Sequence, residues 1–397
     1  MGEVLETVRV PAHVPPERVV DFDFKGCPSL GRDPHGLVRA ARDRFPAVCF
    51  TPRNGGHWLV YGSDNLHEVM KKTGVFSSCM VSLEPDSGPM RLIPLQLDPP
   101  DHTPYRHLLL KHFGLKEMRA LEPFIRTRAE QLIAPLADAP GCDFVKAVAE
   151  PMAISVFMEI MGLPLERLAE FRALALGALD PYASLAQREE LHGDIYRVIG
   201  ELISERAVSP RDDLVTRLLS ERIDGRRLRR DEVLAIGFLL FLAGLDTVTN
   251  AMTYGIRHMA DDMQLQARLR DDLSAIPAVM DDLLRRYTFV NPVRLATRDT
   301  VLDGAPIRAG DRLICVLWSG SNPAEAAHGS TSRPFAFGSG PHTCLGMHLA
   351  RLELRVMYEV WFSRIGPFWR APEPPGACRG GMIMAVSSFP LVIEPRE

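Results

Sequence analysis

The spacing of apolar residues has a helical period over most of the chain. Apolar positions recur three and four residues apart within 115–134, 144–162 and 188–206, and the pattern stays mainly helical from 103 to 270, with prolines as interruptions. A further strongly helical stretch, 347–364, follows a glycine-rich loop. The sequence therefore predicts a protein built mainly from α-helices.

Shorter segments carry the turn residues and the alternation that are typical of strands. Two strands are predicted at 47–51 and 57–61, on either side of the turn signal Pro-Arg-Asn-Gly-Gly. The alternating stretch 301–317 predicts further short strands, and two apolar segments within 380–395 predict a terminal hairpin. Since no repeat or linker interrupts the pattern, we expect residues 1–397 to form one mainly α domain with small antiparallel sheets.

Composition and charge exclude several classes of function. Hydrophobic residues make up 46% of the 397 residues and charged residues 24%, as in soluble globular proteins with a large core. The net charge of -4 provides no basic field for nucleic acid. The longest apolar run, Val233–Leu245, is too short to span a bilayer, and residues 1–16 carry no apolar signal segment. We expect a cytoplasmic protein without a membrane or nucleic-acid partner.

The seven cysteines are scattered and form no C-x-x-C pair, which fits a reducing compartment. One of them has an unusual setting. Cys344 lies in the loop 337–346, Phe-Gly-Ser-Gly-Pro-His-Thr-Cys-Leu-Gly, directly before the last helix. Glycines let a flat partner approach the backbone closely. A sulfur before a helix start meets amide donors and the positive end of the helix dipole, which favours the thiolate. Such a thiolate suits an axial haem ligand; the alternative is a buried structural cysteine.

The loop fits the pattern Phe-x-x-Gly-x-x-x-Cys-x-Gly, whose fixed positions are Phe337, Gly340, Cys344 and Gly346. This pattern resembles the haem-binding signature of the cytochrome P450 family. The resemblance covers nearly the whole chain and implies the family's triangular-prism fold, with haem b between a long distal helix and a cysteine-bearing proximal loop. It implies that Cys344 ligates the iron and that Phe337, Gly338 and Gly346 shape the loop around the haem. Without an N-terminal membrane helix, the chain is similar to the soluble bacterial members.

A second motif, Ala243-Gly244-Leu245-Asp246-Thr247, ends the longest apolar run. It resembles the distal-helix motif of the family, in which Ala243 and Gly244 leave room for dioxygen over the haem. By the same resemblance, Thr247 contacts the dioxygen and Asp246 relays protons to it from solvent. The alternative is a solvated helix edge, because further polar residues follow.

Four residues are candidates for binding the haem propionates, because guanidinium and imidazolium groups pair with carboxylates. His102 and Arg106 are four residues apart, so on a helix they share one face. The resemblance implies that these two hold one propionate, and that Arg294 and His342 contribute at the other positions. Taken singly, each could equally be a solvated surface residue.

The chain departs from the family in the unit that positions the cysteine loop. Asp282 replaces the glutamate of the Glu-x-x-Arg motif, although Asp282 and Arg285 can still pair because they lie three positions apart on a helix. The segment 319–336 is shorter than usual, and Arg333 belongs to the nearest remnant of the Pro-x-Arg-Phe box. Whether these changes affect haem retention, stability or activity stays open.

The resemblance also implies an apolar substrate pocket between the loop 76–97, the distal helix, the segment 289–296 and the terminal hairpin. The chain looks most like the camphor-hydroxylating branch, but it lacks that branch's tyrosine in the first loop, where a methionine stands instead. A terpenoid-like or aromatic substrate is therefore expected rather than camphor. The alternative for such residues is ordinary core packing. The residues predicted to line the pocket are Met80, Met90, Leu92, Leu239, Val290, Val293, Ile383 and Met384.

The expected function is a haem-thiolate monooxygenase that hydroxylates a small or medium hydrophobic molecule with O2. The haem fold uses the whole length and leaves no flavin or nicotinamide domain, so two electrons are expected from an external ferredoxin and its reductase, with Lys111 and His112 as docking charges. Two alternatives stay open. One is an enzyme of the same fold that uses peroxide or rearranges its substrate. The other is a degenerate member that binds a ligand or partner without oxidation.

Overall fold

Helices account for most of the described chain, as the sequence predicts. The computed structural model describes residues 7–26, 33–83, 91–178, 184–321, 335–372 and 378–395. Its α-helices are α1 (Pro34–Arg44), α2 (Ser63–Lys71), α3 (His102–His112), α4 (Leu115–Ala120), α5 (Glu122–Ile133), α6 (Glu150–Met161), α7 (Leu168–Ala178), α8 (Leu185–Val208), α9 (Leu214–Ser220), α10 (Arg230–Met259), α11 (Met263–Asp271), α12 (Ile276–Arg286), α13 (Leu317–Gly320) and α14 (Met347–Arg364). Shorter helical turns occupy Pro16–Arg18, Ala134–Leu136, Val145–Ala149, Leu165–Arg167, Leu273–Ala275, Phe335–Phe337 and Gly340–His342.

The strands are short and form small sheets. They are β1 (Val48–Thr51), β2 (His57–Val60), β3 (Phe76–Ser77), β4 (Gly141–Asp143), β5 (Arg222–Ile223), β6 (Arg226–Arg227), β7 (Val293–Ala296), β8 (Thr300–Leu302), β9 (Ala305–Ile307), β10 (Arg312–Cys315), β11 (Phe368–Arg370), β12 (Cys378–Arg379), β13 (Ala385–Val386) and β14 (Pro390–Ile393). The largest sheet has the order β1-β2-β10-β7-β3, and another has the order β11-β14-β4. Among the strands of the described residues, pairing is antiparallel except between β2 and β10, which run parallel.

The hairpin formed by β1 and β2 is confirmed, and its turn shows why these residues fold back. Asn54, Gly55 and Gly56 have φ values of 55°, 77° and 74°, a region that glycine and asparagine enter at low cost. The Arg312 guanidinium of β10 donates to the carbonyl oxygens of Gly55 and Gly56. The turn is therefore fastened to the strand that runs beside β2.

The predicted terminal hairpin is wrong, because its two segments pair with other parts of the chain. β13 pairs with β12, whereas β14 lies between β11 and β4. Two polar side chains, one buried and one partly exposed, hold the segments apart: Asn250 Oδ1 accepts the Val386 N–H at 3.0 Å, and Asp143 Oδ1 accepts the Phe389 N–H at 3.0 Å. Alternation of apolar residues indicates a strand but does not identify its partner.

The core is built around α10, which packs against α6 and α8 on one side and reaches α14 on another. Phe157 of α6 meets Phe241 of α10 edge to face, with ring centroids 5.4 Å apart. By length and composition α10 could cross a membrane, but 56% of its most apolar window is buried inside the protein. We interpret it as the central helix of the fold, since a helix that is apolar on nearly all sides is typical of a core.

A network of charged side chains fastens α14, the helix after the cysteine loop, to α5. Arg355 pairs with Glu122 at 2.7 Å and with Glu359 at 2.9 Å, and Arg126 pairs with the same two acids at 3.1 and 2.6 Å. Networks contribute more than isolated surface pairs because each charge has two partners. The middle of α14, the helix that follows the cysteine loop, is thereby held against α5.

Replacing Asp143 by alanine tests the anchoring of β14. The change removes the acceptor of the Phe389 N–H and of the Ser388 hydroxyl, which lies 2.7 Å from Asp143 Oδ2. Because the buried amide is left without a partner, we expect the free energy of unfolding to fall by about 2 kcal/mol. Urea denaturation measures this. Asp138→Ala, an exposed neighbour, is the control, and equal losses in both variants would contradict the anchoring role.

Candidate active site

A cavity of about 230 Å³, which we call the first cavity, separates α10 from the cysteine loop. Ala243, Gly244 and Thr247 line it from α10, and Cys344 and Gly346 line it from the loop. A Cβ added to Gly244 or Gly346 would meet no atom within 4 Å. The two sequence motifs therefore face each other across open space, and glycines on both sides leave room for a flat group.

The cysteine loop owes its shape to glycines and to a backbone hydrogen bond. Gly338 and Gly340 both have a φ of 72°, and a Cβ on Gly340 would lie 2.5 Å from the Met70 carbonyl oxygen. The Cys344 N–H donates to the Phe337 carbonyl oxygen at 2.8 Å. Neither glycine tolerates a side chain without moving the loop, so the direction of Cys344 is determined by these positions.

Opposing influences act on the Cys344 thiol. Burial raises its pKa, while a hydrogen bond from the Gly346 N–H and the positive charge of Arg106 lower it; the net pKa lies above the ordinary value. The side chain is nevertheless open to the cavity. A thiol of this kind becomes a thiolate when a metal ion coordinates it, because the ion supplies the missing positive charge.

Three of the four candidate propionate ligands, His102, Arg106 and His342, line this cavity, and the charge of the fourth, Arg294, acts on His342. His102 and Arg294 are 3% and 4% exposed, and the His102 and His342 ring centroids are 4.4 Å apart. Burial, and to a smaller degree the charges of Arg294, His102 and Arg106, together lower the pKa of His342 to about 3. Among the described residues, neither His342 Nε2 nor Arg294 Nε has a hydrogen-bond partner.

These side chains fit a ligand with negative charge. Buried cationic groups without partners are costly, and carboxylates placed between them would supply both charge and hydrogen-bond acceptors. The nearest carboxylate, that of Asp98, lies 3.9 Å from His342 Nε2, beyond hydrogen-bond distance. The arrangement therefore suits a flat group that carries a metal near Cys344 and carboxylates near the cations.

The two polar residues of the α10 motif are oriented differently. Thr247 faces the first cavity and its Oγ1 donates to the Ala243 carbonyl oxygen at 2.8 Å. Asp246 instead pairs with Arg379 of β12, with Oδ2 and Nη2 2.7 Å apart, and accepts a 2.9 Å hydrogen bond from Asn250. Burial raises the pKa of Asp246, although Arg379 and Asn250 oppose this. Sequence reasoning missed Arg379, because it lies 133 residues from its partner.

Glu353 of α14 is a second residue that sequence reasoning missed. It lines the first cavity, it is 2% exposed, and its Oε2 has no hydrogen-bond partner within the described ranges. Burial raises the pKa of this carboxyl well above its usual value, so the neutral acid is favoured. The sequence does contain one indication of this residue, because Glu353 stands between Leu352 and Leu354, two apolar residues of the same helix that are buried.

The residues predicted to line a substrate pocket are found in different surroundings. Leu239 lines the first cavity, and Leu92 is buried in the hydrophobic cluster that includes α6 and α10. Met90 lies outside the described residues. The others belong to a cluster against the main sheet: Met80, Val290, Val293, Ile383 and Met384. The apolar residues that line the first cavity besides Ala243 are Pro94, Leu95, Phe113, Ala153, Phe157, Ile160, Met161, Leu239, Leu240, Val248, Leu345, Leu349 and Ala350.

The predicted pairing of Asp282 with Arg285 is confirmed. Arg285 Nη2 and Arg286 Nε both donate to the Asp282 carboxylate. Burial raises the pKa of Asp282, but the hydrogen bonds from Arg286 and Arg285 outweigh it, and the pKa lies below the ordinary value. The shorter acid thus still forms the ion pair, whereas Arg333 lies outside the described residues.

The two residues named as docking charges share one acid. Lys111 Nζ and His112 Nε2 lie 3.4 and 3.0 Å from the Glu221 carboxylate. The charge of Lys111 is therefore partly neutralised within the protein, and burial lowers the pKa of His112, so both are weaker candidates for binding a partner than the sequence indicates.

Comparison with known proteins gives a consistent result. A family model described as cytochrome P450 matches residues 179–326. A probable cytochrome P450 127A1 of Sinorhizobium fredii is 31% identical, covering 98% of this chain and 97% of the relative. The crystal structure of CYP101C1 has a TM-score of 0.89 at 31% identity, covering 97% of this chain and 100% of that one. A steroid C26-monooxygenase of Rhodococcus jostii is 27% identical, covering 84% of this chain and 75% of the relative.

The fold and the cysteine loop define a site that would hold a flat cofactor beside Cys344. The chain belongs to the cytochrome P450 family, and its relatives here are bacterial proteins. The resemblance based on the Cys344 loop is thereby confirmed. As a member of this family, the protein is an oxidoreductase of the monooxygenase type, with haem iron as cofactor and with O2 and an organic substrate as reactants.

The low pKa of His342 predicts a specific pH dependence in the haem-free protein. The unfolded histidine takes up a proton below its ordinary pKa of 6.5, whereas the folded one resists protonation down to about 3. The contribution of His342 to the free energy of unfolding is therefore fully present above pH 6.5. Below that pH it decreases by about 1.4 kcal/mol per pH unit. His342→Gln should reduce the loss between pH 7 and pH 5, measured by urea unfolding.

Haem loading provides the control for this experiment. Propionates beside His342 would favour its protonated form, so the difference between wild type and variant should shrink in the loaded protein. If wild type and His342→Gln lost equal stability in acid in the haem-free state, His342 would not be the source of the pH dependence. Other buried histidines, such as His35 and His57, contribute equally to both proteins and cancel in the difference.

Proposed function

We propose that this protein is a haem-thiolate monooxygenase that hydroxylates a small or medium hydrophobic molecule. The observation that carries the proposal is the position of Cys344 opposite Gly244 and Thr247, across a cavity lined mainly by apolar side chains. The Cys344 thiol on one side and the Thr247 alcohol on the other leave space between them for a flat cofactor and, beside it, for an organic molecule.

The cofactor we propose is haem b. When bound, its iron activates dioxygen and the thiolate favours O–O cleavage. Cys344 would ligate the iron, and Phe337, Gly338 and Gly346 would shape the loop on that side. His102, Arg106, Arg294 and His342 would bind the two propionates, which accounts for the two unpartnered nitrogen atoms in this buried cluster.

The chain's own contribution to the reaction is to orient the substrate and to supply protons. Hydroxylation places one oxygen atom of O2 in a C–H bond and releases the other as water, using two electrons and two protons. Thr247, whose hydroxyl faces the cavity, would hold a proton near the bound dioxygen, and Asp246 would replenish it. Ala243 and Gly244 would leave the space that dioxygen occupies.

The substrate we propose is a terpenoid-like or aromatic hydrophobe. The first cavity contains aromatic, aliphatic and methionine side chains, among them Phe157, Met161 and Leu240, which suit a compact apolar molecule. The kinship with a steroid C26-monooxygenase supports a hydrophobic substrate.

The electron donor we propose is a ferredoxin, kept reduced by its reductase. The short helix α4 packs on α14 and exposes Leu115, Lys116 and Arg119, so that apolar and basic groups lie together near the cysteine side of the molecule. A small acidic iron–sulfur protein would match such a surface in charge. Lys111 is exposed nearby but shares its charge with Glu221.

We further infer a soluble, cytoplasmic protein in which residues 1–397 form one domain. The cysteines within the described ranges are all free, as in a reducing compartment. Two hydrophobic clusters form most of the helical core, one around α5, α6 and α14 and one around α6, α8 and α10. They are continuous, because both are contacted by the same three side chains, Leu121, Ile160 and Leu349.

The absorption spectrum of the reduced, carbon-monoxide-treated protein tests the haem-thiolate assignment. We expect the red-shifted Soret band that gives the family its name, because thiolate ligation produces it. Cys344→Ser should abolish this band, whereas Cys142→Ser, a matched change in β4, should leave it unchanged. A wild-type protein without haem would favour the alternative of a degenerate member that binds a ligand without oxidising it.

Thr247→Val tests the proton-holding role of the alcohol. Without the hydroxyl, a larger share of the electrons should end in hydrogen peroxide, and product formation should fall about tenfold. Thr253→Val is the control, since the Thr253 hydroxyl donates to the Thr249 carbonyl in the same manner but does not line the first cavity. For both variants, the product formed and the peroxide released are measured per NADH consumed. Unchanged product yield in Thr247→Val would contradict the role.

A further inference from the structure

The cysteine loop lies against α2, and one histidine of that helix contacts the chain at two places there. His67 Nδ1 lies 3.1 Å from Ser339 Oγ, within hydrogen-bond distance. The His67 ring also packs on the ring of Phe335, with centroids 4.5 Å apart. Phe335 lies two residues before the loop and is completely buried. His67 therefore connects the chain at the entrance of the loop with the middle of the loop.

Ser339 occupies a position at which one contact restrains much of the loop. It stands between Gly338 and Gly340, whose φ values are both 72°. Glycine rotates about its backbone bonds more freely than any other residue, so a glycine on each side of Ser339 forms two soft joints. A hydrogen bond to the Ser339 side chain restrains both joints together.

The two joints lie on the path of the chain to the cysteine. The Gly338 N–H donates to the Phe335 carbonyl oxygen at 2.8 Å, which closes the turn at the first joint. At the second joint, the Gly340 carbonyl oxygen accepts from the Thr343 N–H at 3.1 Å and from the Thr343 hydroxyl at 2.8 Å. Because Thr343 directly precedes Cys344, a change at either joint moves the cysteine.

α2 is itself attached to a buried element, so it can support the loop. The N–H of Gly62, the residue before α2, donates to Ser319 Oγ at 3.0 Å, and Ser319 of α13 is completely buried. Leu66 of α2 packs on Gly320 of α13 so closely that a Cβ added to this glycine would lie 2.8 Å from Leu66 Cδ1. The helix that carries His67 is therefore fixed before it meets the loop.

The unit that positions this loop in the family is altered in the present chain. Asp282 accepts hydrogen bonds from Arg285 and Arg286, and all three residues belong to α12. These ion pairs join neighbouring turns of α12 and do not connect it to the cysteine loop. A support from another side of the loop would compensate for this, and α2 provides one.

We propose that His67 is a positioning residue of the cysteine loop, which it holds in the shape that directs the Cys344 sulfur at the cofactor. This inference rests on the haem-thiolate function proposed above, and it adds a residue from a helix far from the loop in the sequence. The hydrogen bond with Ser339 restrains the glycine joints, and the ring contact with Phe335 restrains the entrance. Without His67, the loop also adopts shapes in which the sulfur is turned away.

Hydrogen–deuterium exchange of the haem-free protein tests the positioning directly. His67→Phe keeps a ring on Phe335 but removes the nitrogen that pairs with Ser339. The loss of one hydrogen bond should raise the exchange rates of the Thr343 and Cys344 amides about fivefold, while the amides of α14 keep their wild-type rates. His67→Asn places a polar atom where Nδ1 stood and should restore most of the protection.

The carbon monoxide spectrum of the haem-loaded protein tests the consequence for the sulfur ligand. With a looser loop, a larger share of the reduced, carbon-monoxide-treated protein should absorb at shorter wavelength, because the sulfur no longer binds as thiolate. In moderate urea, the ratio of this band to the red-shifted band should rise about fivefold in His67→Phe. Ser339→Ala should give the same rise, and the double variant should add nothing further, because both changes remove the same bond.

His258→Phe is the matched control. His258 is half-buried, as His67 is, and its Nδ1 lies 2.9 Å from Tyr287 Oη at the C-terminal end of α10. This variant loses a similar hydrogen bond in another part of the molecule, so the loop amides and the band ratio should stay as in wild type. Equal changes in His258→Phe and His67→Phe would indicate a general loss of stability and overturn the proposal.

The two measurements also separate this inference from the function on which it rests. A wild-type protein that binds haem without the red-shifted band would contradict the haem-thiolate function, and the exchange rates would still decide whether His67 positions the loop. If wild type shows that band while His67→Phe keeps wild-type exchange rates and a wild-type band ratio, the function stands and the positioning role is wrong.

Discussion

The burial of positive charge beside the cysteine loop is the constraint on which the rest of the site depends. α3 and β7 contribute the cationic side chains of Arg106 and Arg294 to one small region, the loop adds the His342 imidazole, and Arg294 is almost completely buried there. Such a cluster is costly when its charges are uncompensated. The folded chain limits the cost by keeping His342 neutral. A dianionic ligand gains affinity from the charges that remain, so cofactor binding and folding stability are linked.

Local chemistry made part of this site predictable from sequence. The loop before α14 requires Gly338 and Gly340 at a positive φ, and a glycine pattern around a cysteine is visible in ten consecutive residues. The hairpin of β1 and β2 was predictable for the same reason, since its turn depends on Asn54 and the glycines beside it.

Features that depend on distant partners were not predictable. The terminal segments form strands, as alternation indicates, but Asp143 and Asn250 determine that they join different sheets. Leu239 lines the first cavity while Val293, equally apolar, belongs to the main sheet and is buried in the cluster beside it. Whether an apolar side chain faces a cavity or a core depends on what packs opposite it, and a single sequence does not contain that information. The same limit hid Arg379.

The position of β14 has a consequence for how the molecule is assembled. This strand is the middle member of its sheet, and the Phe389 amide beside it is held by Asp143, 246 residues earlier in the chain. Until β14 arrives, β4 and β11 have no common neighbour and each leaves a strand edge unpaired. Closing a contact across so much intervening chain is slow because of its entropy cost. During synthesis, the early helices therefore wait for one of the last segments to emerge before this side of the molecule can close.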